Sequence, residues 1–225
     1  MGKVIAIDGP AGAGKSTISR LLARKLAYRY LDTGAMYRAI TYLALEEGID
    51  IHDTEEIVKL SKKIEMQITP PDENHISHII INGRDVTDRL RTKEVDLNVS
   101  TVAKNKAIRE LMTEMQRNIA SSGNIIMDGR DIGTRVLPDA DYKFFITASL
   151  EERARRRWKE LREKGLEVSL AEIEKEIAER DREDSTRELA PLVKAEDAIL
   201  IDTSNLSIQE VLDKLISYIK DEGNV

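Results

Sequence analysis

The sequence predicts an α/β fold with a mainly parallel central sheet that is covered by helices on both faces. Three short apolar runs, Val4–Ile7, Ile125–Met127 and Ala198–Ile201, are each followed directly by an aspartate, and their composition is that of strands buried on both sides. A fourth run, Tyr142–Ile146, is rich in aromatic and β-branched residues. Helical stretches separate these runs, so we expect the strands to lie in one sheet.

The composition limits the classes of function. The 225 residues include 35 basic and 41 acidic side chains, a net charge of −6, which argues against a strongly basic nucleic-acid binder. The absence of cysteine excludes disulfides, cysteine-ligated metals and thiol catalysis. The sequence has no apolar run long enough for a membrane span or a signal peptide. We therefore expect a single unit over residues 1–225, cytoplasmic and monomeric, with no nucleic-acid or membrane partner.

Three helix starts are visible in the sequence. Ser-x-x-Glu patterns begin at Ser149, Ser169 and Ser207, and each has the form of a capping box. In that arrangement the serine accepts a hydrogen bond from a free backbone N–H, and the glutamate reaches back to the cap residue. Gly165 is suited to ending the first of these helices.

A different pattern occupies the stretch from about residue 62 to residue 97. Ile79 and Ile81 lie in a β-type segment, and the Asn82-Gly83 dipeptide that follows favours a two-residue hairpin turn. We interpret this stretch as a small β insert on the α/β body, with boundaries defined only to within a few residues.

A glycine-rich segment follows the first predicted strand and matches the phosphate-binding pattern G-x-x-x-x-G-K-[ST]. An amphipathic helical stretch comes next, so the strand–loop–helix context is also present. The segment predicts a P-loop NTPase-like three-layer sandwich. Its nucleotide-contacting residues would be Gly9, Pro10, Ala11, Gly12, Ala13, Gly14, Lys15, Ser16 and Thr17.

The chemistry of this loop is that of a nucleotide site. Glycines allow the backbone to form a ring of inward N–H groups, and the helix start adds a positive end. Lys15 would reach the β- and γ-phosphates of ATP, and the Ser16 hydroxyl is a suitable ligand for Mg²⁺. The alternative is a glycine-rich turn that binds no ligand. The loop alone also leaves the reaction open, because GTPases, motor ATPases and small-molecule kinases share it.

Arginines are concentrated in a few segments, which suits phosphoryl transfer because a guanidinium can bind two phosphate oxygens at once. Arg130 directly follows a predicted strand, where α/β sheets place ligands. On the predicted helix after Ser149, Arg153, Arg156 and Arg157 share a broad face with Glu160 nearby. A solvated ion-pair face explains that helix about as well as catalysis does.

Several segments together resemble the bacterial cytidylate kinase family. The segments are Asp8–Ser16, Leu31–Arg38, Ile81–Thr87, Arg91–Val95, Ile125–Thr134 and Arg180–Leu192, and the similarity extends over essentially the whole chain in the family's order. The resemblance implies transfer of a phosphoryl group from ATP to CMP or dCMP with Mg²⁺. It also implies that the β insert belongs to the monophosphate-binding region and that residues 153–187, approximately, form a helical lid.

The resemblance also implies roles for individual residues. The CMP phosphate would be bound by Thr33, Arg38, Arg130 and Arg187, with Thr33 standing where the family often has serine. Cytosine would be read by Ser100, Arg109 and Asp131, and the sugar approached by Arg180 and Asp184. Arg153 and Arg157 would be the lid arginines near the donor phosphates. The catalytic set implied is Lys15, Arg130, Arg153, Arg157 and Arg187.

The assignment of Asp131 has a chemical reason. A carboxylate can accept a hydrogen bond from the cytosine amino group, whereas uracil would present an unpaired acceptor there. Asp131 could equally pair with a neighbouring arginine as scaffold, and both roles could hold together. Asp128 is similarly open, since it could orient Mg²⁺-bound water or cap the strand end.

Two rival functions remain from the sequence. One is another small kinase with a phosphate-binding loop, acting on adenylate, shikimate or dephospho-coenzyme A. The other is a GTPase-like switch, although the N-K-x-D segment usual for guanine is missing and Asn105–Ile108 lacks its aspartate.

Overall fold

Five parallel strands form the central sheet of the computed structural model, which describes residues 2–69, 77–163 and 165–221. Elements are numbered in chain order. The sheet strands are β1 (Val4–Asp8), β2 (Arg29–Asp32), β6 (Ile125–Gly129), β7 (Tyr142–Thr147) and β8 (Ile199–Asp202). Their order across the sheet is β2-β6-β1-β7-β8.

The register of the strands brings their carboxyl ends to one edge. Asp8 of β1 lies opposite Gly129 of β6, and Asp32 of β2 lies opposite Asp128. The residues that follow the strands therefore meet at this edge, where ligands bind in open α/β sheets.

Helices cover both faces of the sheet. Their bounds are α1 (Lys15–Leu26), α2 (Thr33–Glu46), α3 (Thr54–Lys63), α4 (Lys93–Lys104), α5 (Lys106–Ala120), α6 (Leu150–Glu163), α7 (Leu170–Thr186) and α8 (Ile208–Asp221). Ala6 and Met127 belong to a core with side chains of α2, α4 and α5, whereas Ile5 and Ile126 belong to a second core with α1 and α8. The predicted three-layer α/β sandwich is confirmed.

A small antiparallel sheet lies outside the central one. It consists of β3 (Met66–Ile68), β4 (Ile79–Ile81) and β5 (Arg84–Asp85). Asn82 and Gly83, between β4 and β5, have φ angles of 50° and 79°. Both residues are thus in the left-handed region that a type I′ hairpin turn requires, as the sequence predicts. Residues 70–76 of the predicted insert lie outside the described residues.

Helices α6 and α7 pack against each other around Ala154, Ile173 and Ile177.

The predicted capping box at Ser169 is complete, and Ser207 and Glu210 form the same reciprocal pair at the start of α8. The box predicted at Ser149 is only half formed. Its hydroxyl accepts from the Glu152 N–H, but its own N–H donates to Ser204, because the Glu152 carboxylate is held by arginines of α6.

Strand β2 was not predicted. It lies at an edge of the sheet, and Leu31 is its one fully buried residue. Because Arg29 and Asp32 are charged, the segment has no apolar run of the kind that marks the inner strands.

No helix in the described ranges has both the length and the apolar character needed to cross a membrane.

Candidate active site

The glycine-rich loop connects β1 to α1 at the carboxyl edge of the sheet. Gly9 has a φ of 148°, and a Cβ atom there would lie 1.9 Å from the Ile146 carbonyl oxygen, so no other residue fits. Gly14 is the N-cap of α1 with a φ of 84° and offers no capping side chain. The first N–H groups of α1 are therefore left for an anionic ligand, which the helix dipole also favours.

Lys15 lies at the base of this loop. Its Nζ donates to the Pro10 carbonyl oxygen at 2.7 Å, and the side chain is buried. Burial, followed by repulsion from Arg130, lowers the pKa of Lys15 to about 7. A phosphate at the loop would counter both effects, since it supplies negative charge at the ammonium group.

Ser16, Asp128 and Tyr30 form a hydrogen-bonded group beside Lys15. The Ser16 hydroxyl donates to Asp128 Oδ2 at 2.9 Å, and the Tyr30 hydroxyl donates to Oδ1 at 2.7 Å. Burial, then repulsion from Asp32, raises the pKa of Asp128 to about 6. A hydroxyl and a carboxylate in contact are oxygen ligands of the kind Mg²⁺ prefers, so these residues fit the ion that accompanies a nucleotide.

Five residues predicted to bind the acceptor form one continuous chain of ion pairs. Its members are Arg130, Asp184, Arg187, Asp131 and Arg109. Arg130 Nε donates to Asp184 Oδ2 at 2.7 Å, and Arg187 Nη1 is 3.5 Å from Asp184 Oδ1. Arg187 Nη2 is 3.7 Å from Asp131 Oδ1, and Asp131 is hydrogen-bonded to Arg109. The structure therefore gathers side chains from the end of β6, from α5 and from α7.

Arg109 and Asp131 are the most buried pair in this series of ion pairs. Arg109 lies on α5, with its guanidinium 5.6 Å from the centre of the Tyr37 ring. The scaffold role that the sequence left open for Asp131 is thus observed. Ser100, the third residue predicted to read cytosine, lies half-buried on α4.

Arg180 is placed beside the same group of cations. Burial, then the charges of Arg130 and Arg38, lowers its pKa to about 10. Its Nε is buried and has no hydrogen-bond partner among the described residues. An anion arriving at this point would relieve both the repulsion and the missing hydrogen bond.

Thr33 begins α2 at the same edge. Its hydroxyl donates to the Asp128 carbonyl oxygen at 2.7 Å and is buried. This bond ties the first turn of α2 to the end of β6. A phosphate bound by Thr33 would use the oxygen lone pairs, because the proton is already donated.

The two predicted lid arginines have different environments. Arg153 is buried, and its Nη1 donates to the Ala11 carbonyl oxygen at 2.9 Å and to Asp181 at 2.6 Å. Asp181 in turn accepts from the Ala11 N–H at 3.3 Å. Helices α6 and α7 are thereby attached to the phosphate loop.

Arg157 reaches from α6 to α4. It pairs with Asp96 of α4 at 3.4 Å and with Glu160 at 3.4 Å, so part of the predicted solvated ion-pair face exists. Arg156 does not pair with Glu160. It bonds Glu152 and the Thr203 carbonyl oxygen, which is 2.7 Å from its Nη2.

Among the described residues, four that lie in the candidate site were not predicted as site residues: Asp8, Tyr30, Asp96 and Asp181. Asp8 Oδ1 and Oδ2 accept from the N–H groups of Ile132 and Gly133 at 2.8 Å and 2.7 Å. This carboxylate connects the start of the phosphate loop to the segment after Asp131. The position of Asp8 directly after a buried strand, beside a glycine-rich loop, was the signal that could have marked it.

The sequence profile of the cytidylate kinase family matches residues 5–221. The chain belongs to the cytidylate kinase family. The chain is 52% identical over 221 residues to the cytidylate kinase of Carboxydothermus hydrogenoformans, covering 98% of this chain and 99% of that protein. The cytidylate kinase of Bacillus subtilis is 48% identical to this chain over 219 residues. The alignment covers 97% of this chain and 97% of that protein.

Solved structures outside the cytidylate kinase family share the fold. A shikimate kinase from Acinetobacter baumannii superposes with a TM-score of 0.50 at 15% identity, covering 100% of this chain and 97% of that one. At this identity the likeness extends to the fold and no further. The P-loop kinase architecture is thus common to enzymes with different acceptors.

Proposed function

We propose that this chain transfers the γ-phosphoryl group of ATP to CMP and dCMP, giving CDP and dCDP. The observation that carries the proposal is the chain of ion pairs from Arg130 to Arg109. It lies at the same edge of the sheet as the phosphate loop, in a member of the cytidylate kinase family.

The donor would bind at the glycine-rich loop. Backbone N–H groups of the segment from Gly12 to Thr17 and the Lys15 ammonium would surround its phosphates, with Gly9, Pro10 and Ala11 lining the loop. Ser16 would be the protein ligand of Mg²⁺, with Asp128 beside it. Mg²⁺ supplies charge neutralisation on the phosphate oxygens when bound. Each of these protein groups would offset the negative charge that two polyanionic substrates bring together.

The acceptor would bind between β6, α4, α5 and α7. Thr33, Arg38, Arg130 and Arg187 would hold the CMP phosphate, and Arg180 and Asp184 would approach the sugar. Asp131 would accept from the cytosine amino group, while Ser100 and Arg109 would donate to the ring acceptors. The buried Arg109 fixes the Asp131 carboxylate, which can only accept hydrogen bonds when ionised. Uracil, which presents a carbonyl oxygen where cytosine has its amino group, would therefore be disfavoured at that point.

The transfer itself needs no general base. An oxygen of the CMP phosphate attacks the γ-phosphorus in line, the bond to the β-phosphate oxygen breaks, and ADP leaves. Because the attacking oxygen is already anionic, no proton has to be removed. Arg153 and Arg157, in a lid of about residues 153–187, would exclude water and stabilise the transferring group. Residues of about 62–97 would enlarge the acceptor region.

A panel of acceptors tests this function. With ATP and Mg²⁺, a coupled ADP-release assay should show turnover with CMP and dCMP that exceeds turnover with UMP, AMP and shikimate. A higher kcat/KM for AMP or shikimate would refute the substrate assignment. Preferential binding of GTP, with slow hydrolysis at a rate that does not depend on any acceptor, would instead indicate a GTPase-like switch.

A further inference from the structure

Asp96 on α4 contacts two arginines that come from different parts of the chain. Its Oδ1 accepts from Arg38 Nε of α2 at 3.2 Å, and its Oδ2 lies 3.4 Å from Arg157 Nη2 of α6. The Asp96 side chain is 25% exposed, against 11% for Arg38 and 36% for Arg157. In the function proposed above, Arg38 serves the acceptor phosphate and Arg157 the transferring group. One carboxylate thus contacts both sides of the reaction.

The contact with Arg38 repeats a geometry seen elsewhere in the site. Arg130 is held through its Nε by Asp184, at 2.7 Å, just as Arg38 is held through its Nε by Asp96. A guanidinium fixed by Nε keeps its two terminal nitrogens together at the far end, where they can bind two oxygens of one phosphate. Asp96 therefore orients Arg38 in the way that Asp184 orients Arg130.

Asp96 also faces the group of cations around the buried Arg180. The charges of Arg130 and Arg38 disfavour the charged form of Arg180, whereas Asp184 and Asp96 favour it. The cations would repel one another before any substrate arrives. Two carboxylates, one on α7 and one on α4, offset this repulsion and hold the arginines near the positions that a phosphate would use.

We propose that Asp96 is a positioning residue of the phosphoryl transfer, which aligns Arg38 for the acceptor phosphate and links that alignment to the lid through Arg157. The proposal rests on the proposed function. It accounts for a carboxylate that would otherwise weaken an anion-binding site. Occupation of the donor side and occupation of the acceptor side are then coupled through one side chain.

A purely structural role would be to hold α4 against the two lid helices. The chain offers a matched comparison, because α4 also meets the lid at its other end. There Lys104 Nζ lies 3.3 Å from a carboxylate oxygen of Glu183 on α7, with side-chain exposures of 46% and 42%. Glu183→Gln breaks a bridge between α4 and the lid and removes one negative charge, as Asp96→Asn does, but it touches neither Arg38 nor Arg157.

The test uses the full chain as Asp96→Asn, Asp96→Glu and Glu183→Gln. Steady-state constants are measured with CMP and ATP each varied. CMP binding is measured by calorimetry without Mg²⁺, with and without a non-hydrolysable ATP analogue. We expect Asp96→Asn to raise the KM and Kd for CMP about tenfold, because a charge-assisted hydrogen bond is lost, while the KM for ATP changes by less than about twofold.

Three further results would support the proposal. Asp96→Asn should reduce the tightening of CMP binding by the ATP analogue, Asp96→Glu should recover part of the CMP affinity, and Glu183→Gln should behave as wild type. Equal effects of Asp96→Asn and Glu183→Gln would overturn it, as would a loss of melting temperature with unchanged CMP constants. A wild-type enzyme that neither binds nor phosphorylates CMP would instead overturn the proposed function, and this assignment with it.

Discussion

Arg109 and Asp131 form an ion pair that is almost closed to solvent, with 2% and 7% of their side chains exposed. The two charges stabilise each other, Asp131 also lies 3.7 Å from Arg187, and this burial leaves little solvent access to either charge. Removing one member leaves a buried charge, which costs about 3–5 kcal/mol in comparable pairs. The pair lies at the end of the ion-pair chain, where the cytosine base would bind.

Asp131→Asn should therefore lower both stability and base selectivity. We expect the free energy of unfolding to fall by about 3 kcal/mol. The ratio of kcat/KM for CMP to that for UMP should fall about tenfold, because an amide presents a donor as readily as an acceptor. Chemical denaturation and the two kinetic constants measure these effects.

The exposed Asp139 provides the control for that substitution, since Asp139→Asn removes the same charge at the surface. An unchanged preference for CMP over UMP in folded Asp131→Asn would leave Asp131 with the scaffold role alone.

Lys15→Ala should abolish most turnover without unfolding the protein. The ammonium lies inside the phosphate loop and would neutralise charge on the transferring group, so we expect kcat to fall by about 10²–10³-fold. Lys25→Ala, at the other end of α1, removes a lysine whose side chain is 48% exposed and should be neutral. Equal turnover in Lys15→Ala and wild type would contradict the role of the loop.

Asp184→Asn should affect the acceptor more than the donor. The carboxylate holds Arg130 through Nε and lies 3.5 Å from Arg187, so its loss would free two arginines that are expected to bind the CMP phosphate. We expect the KM for CMP to rise about tenfold, with a KM for ATP within about twofold of wild type. The exposed Glu188 offers Glu188→Gln as a control nearby. Equal changes in both KM values would argue for general loosening of α7.

Asp8 should make stability depend on pH in an unusual direction. Burial, opposed by the N–H groups of Gly133 and Ile132, raises the pKa of Asp8 to about 6 from an ordinary 3.8. The native state therefore holds this proton more tightly than the unfolded chain does. The contribution of Asp8 to stability is fully present below about pH 4 and is lost as the pH rises through about 6.

The difference in unfolding free energy between wild type and Asp8→Asn measures this effect. The unfolding free energy of wild type, relative to that of Asp8→Asn, should fall by about 3 kcal/mol between pH 4 and pH 7. This value corresponds to roughly two pKa units in a buried group. Asp88→Asn, at an exposed position, should give no such trend. A difference between wild type and Asp8→Asn that is independent of pH would show that Asp8 titrates normally.

The inner strands and the phosphate loop were predictable because they depend on local patterns. The apolar residues 5–7 and 125–127 are buried on both sides of the sheet, and the loop pattern specifies its own backbone conformation. Strand β2 was not predictable, since an edge strand needs only one buried side chain and Leu31 supplies it. The Asn82-Gly83 turn was predictable because both residues accept a positive φ.

The carboxylates that pair with the arginines of the candidate site were harder to foresee. Asp96 meets Arg38 and Arg157 across 58 and 61 residues of sequence, and no spacing rule connects positions so far apart. Arg130 was marked by its position after a strand, and the other candidate arginines were marked by resemblance. Which acid orients each of them depends on how α4, α6 and α7 pack, and that is a property of the folded chain.

The attachment of α6 and α7 to Ala11 has a consequence for how a nucleotide would enter the loop. Arg153 bonds the carbonyl of Ala11 while Asp181 accepts from its N–H, so both polar groups of this residue are in use. A nucleotide that needed the Ala11 N–H would first have to displace the Asp181 carboxylate. Binding of ATP would then replace the Asp181 carboxylate by a phosphate oxygen at the Ala11 N–H. Because Asp181 lies on α7 and pairs with Arg153 of α6, this exchange would change the contact between both helices and the loop.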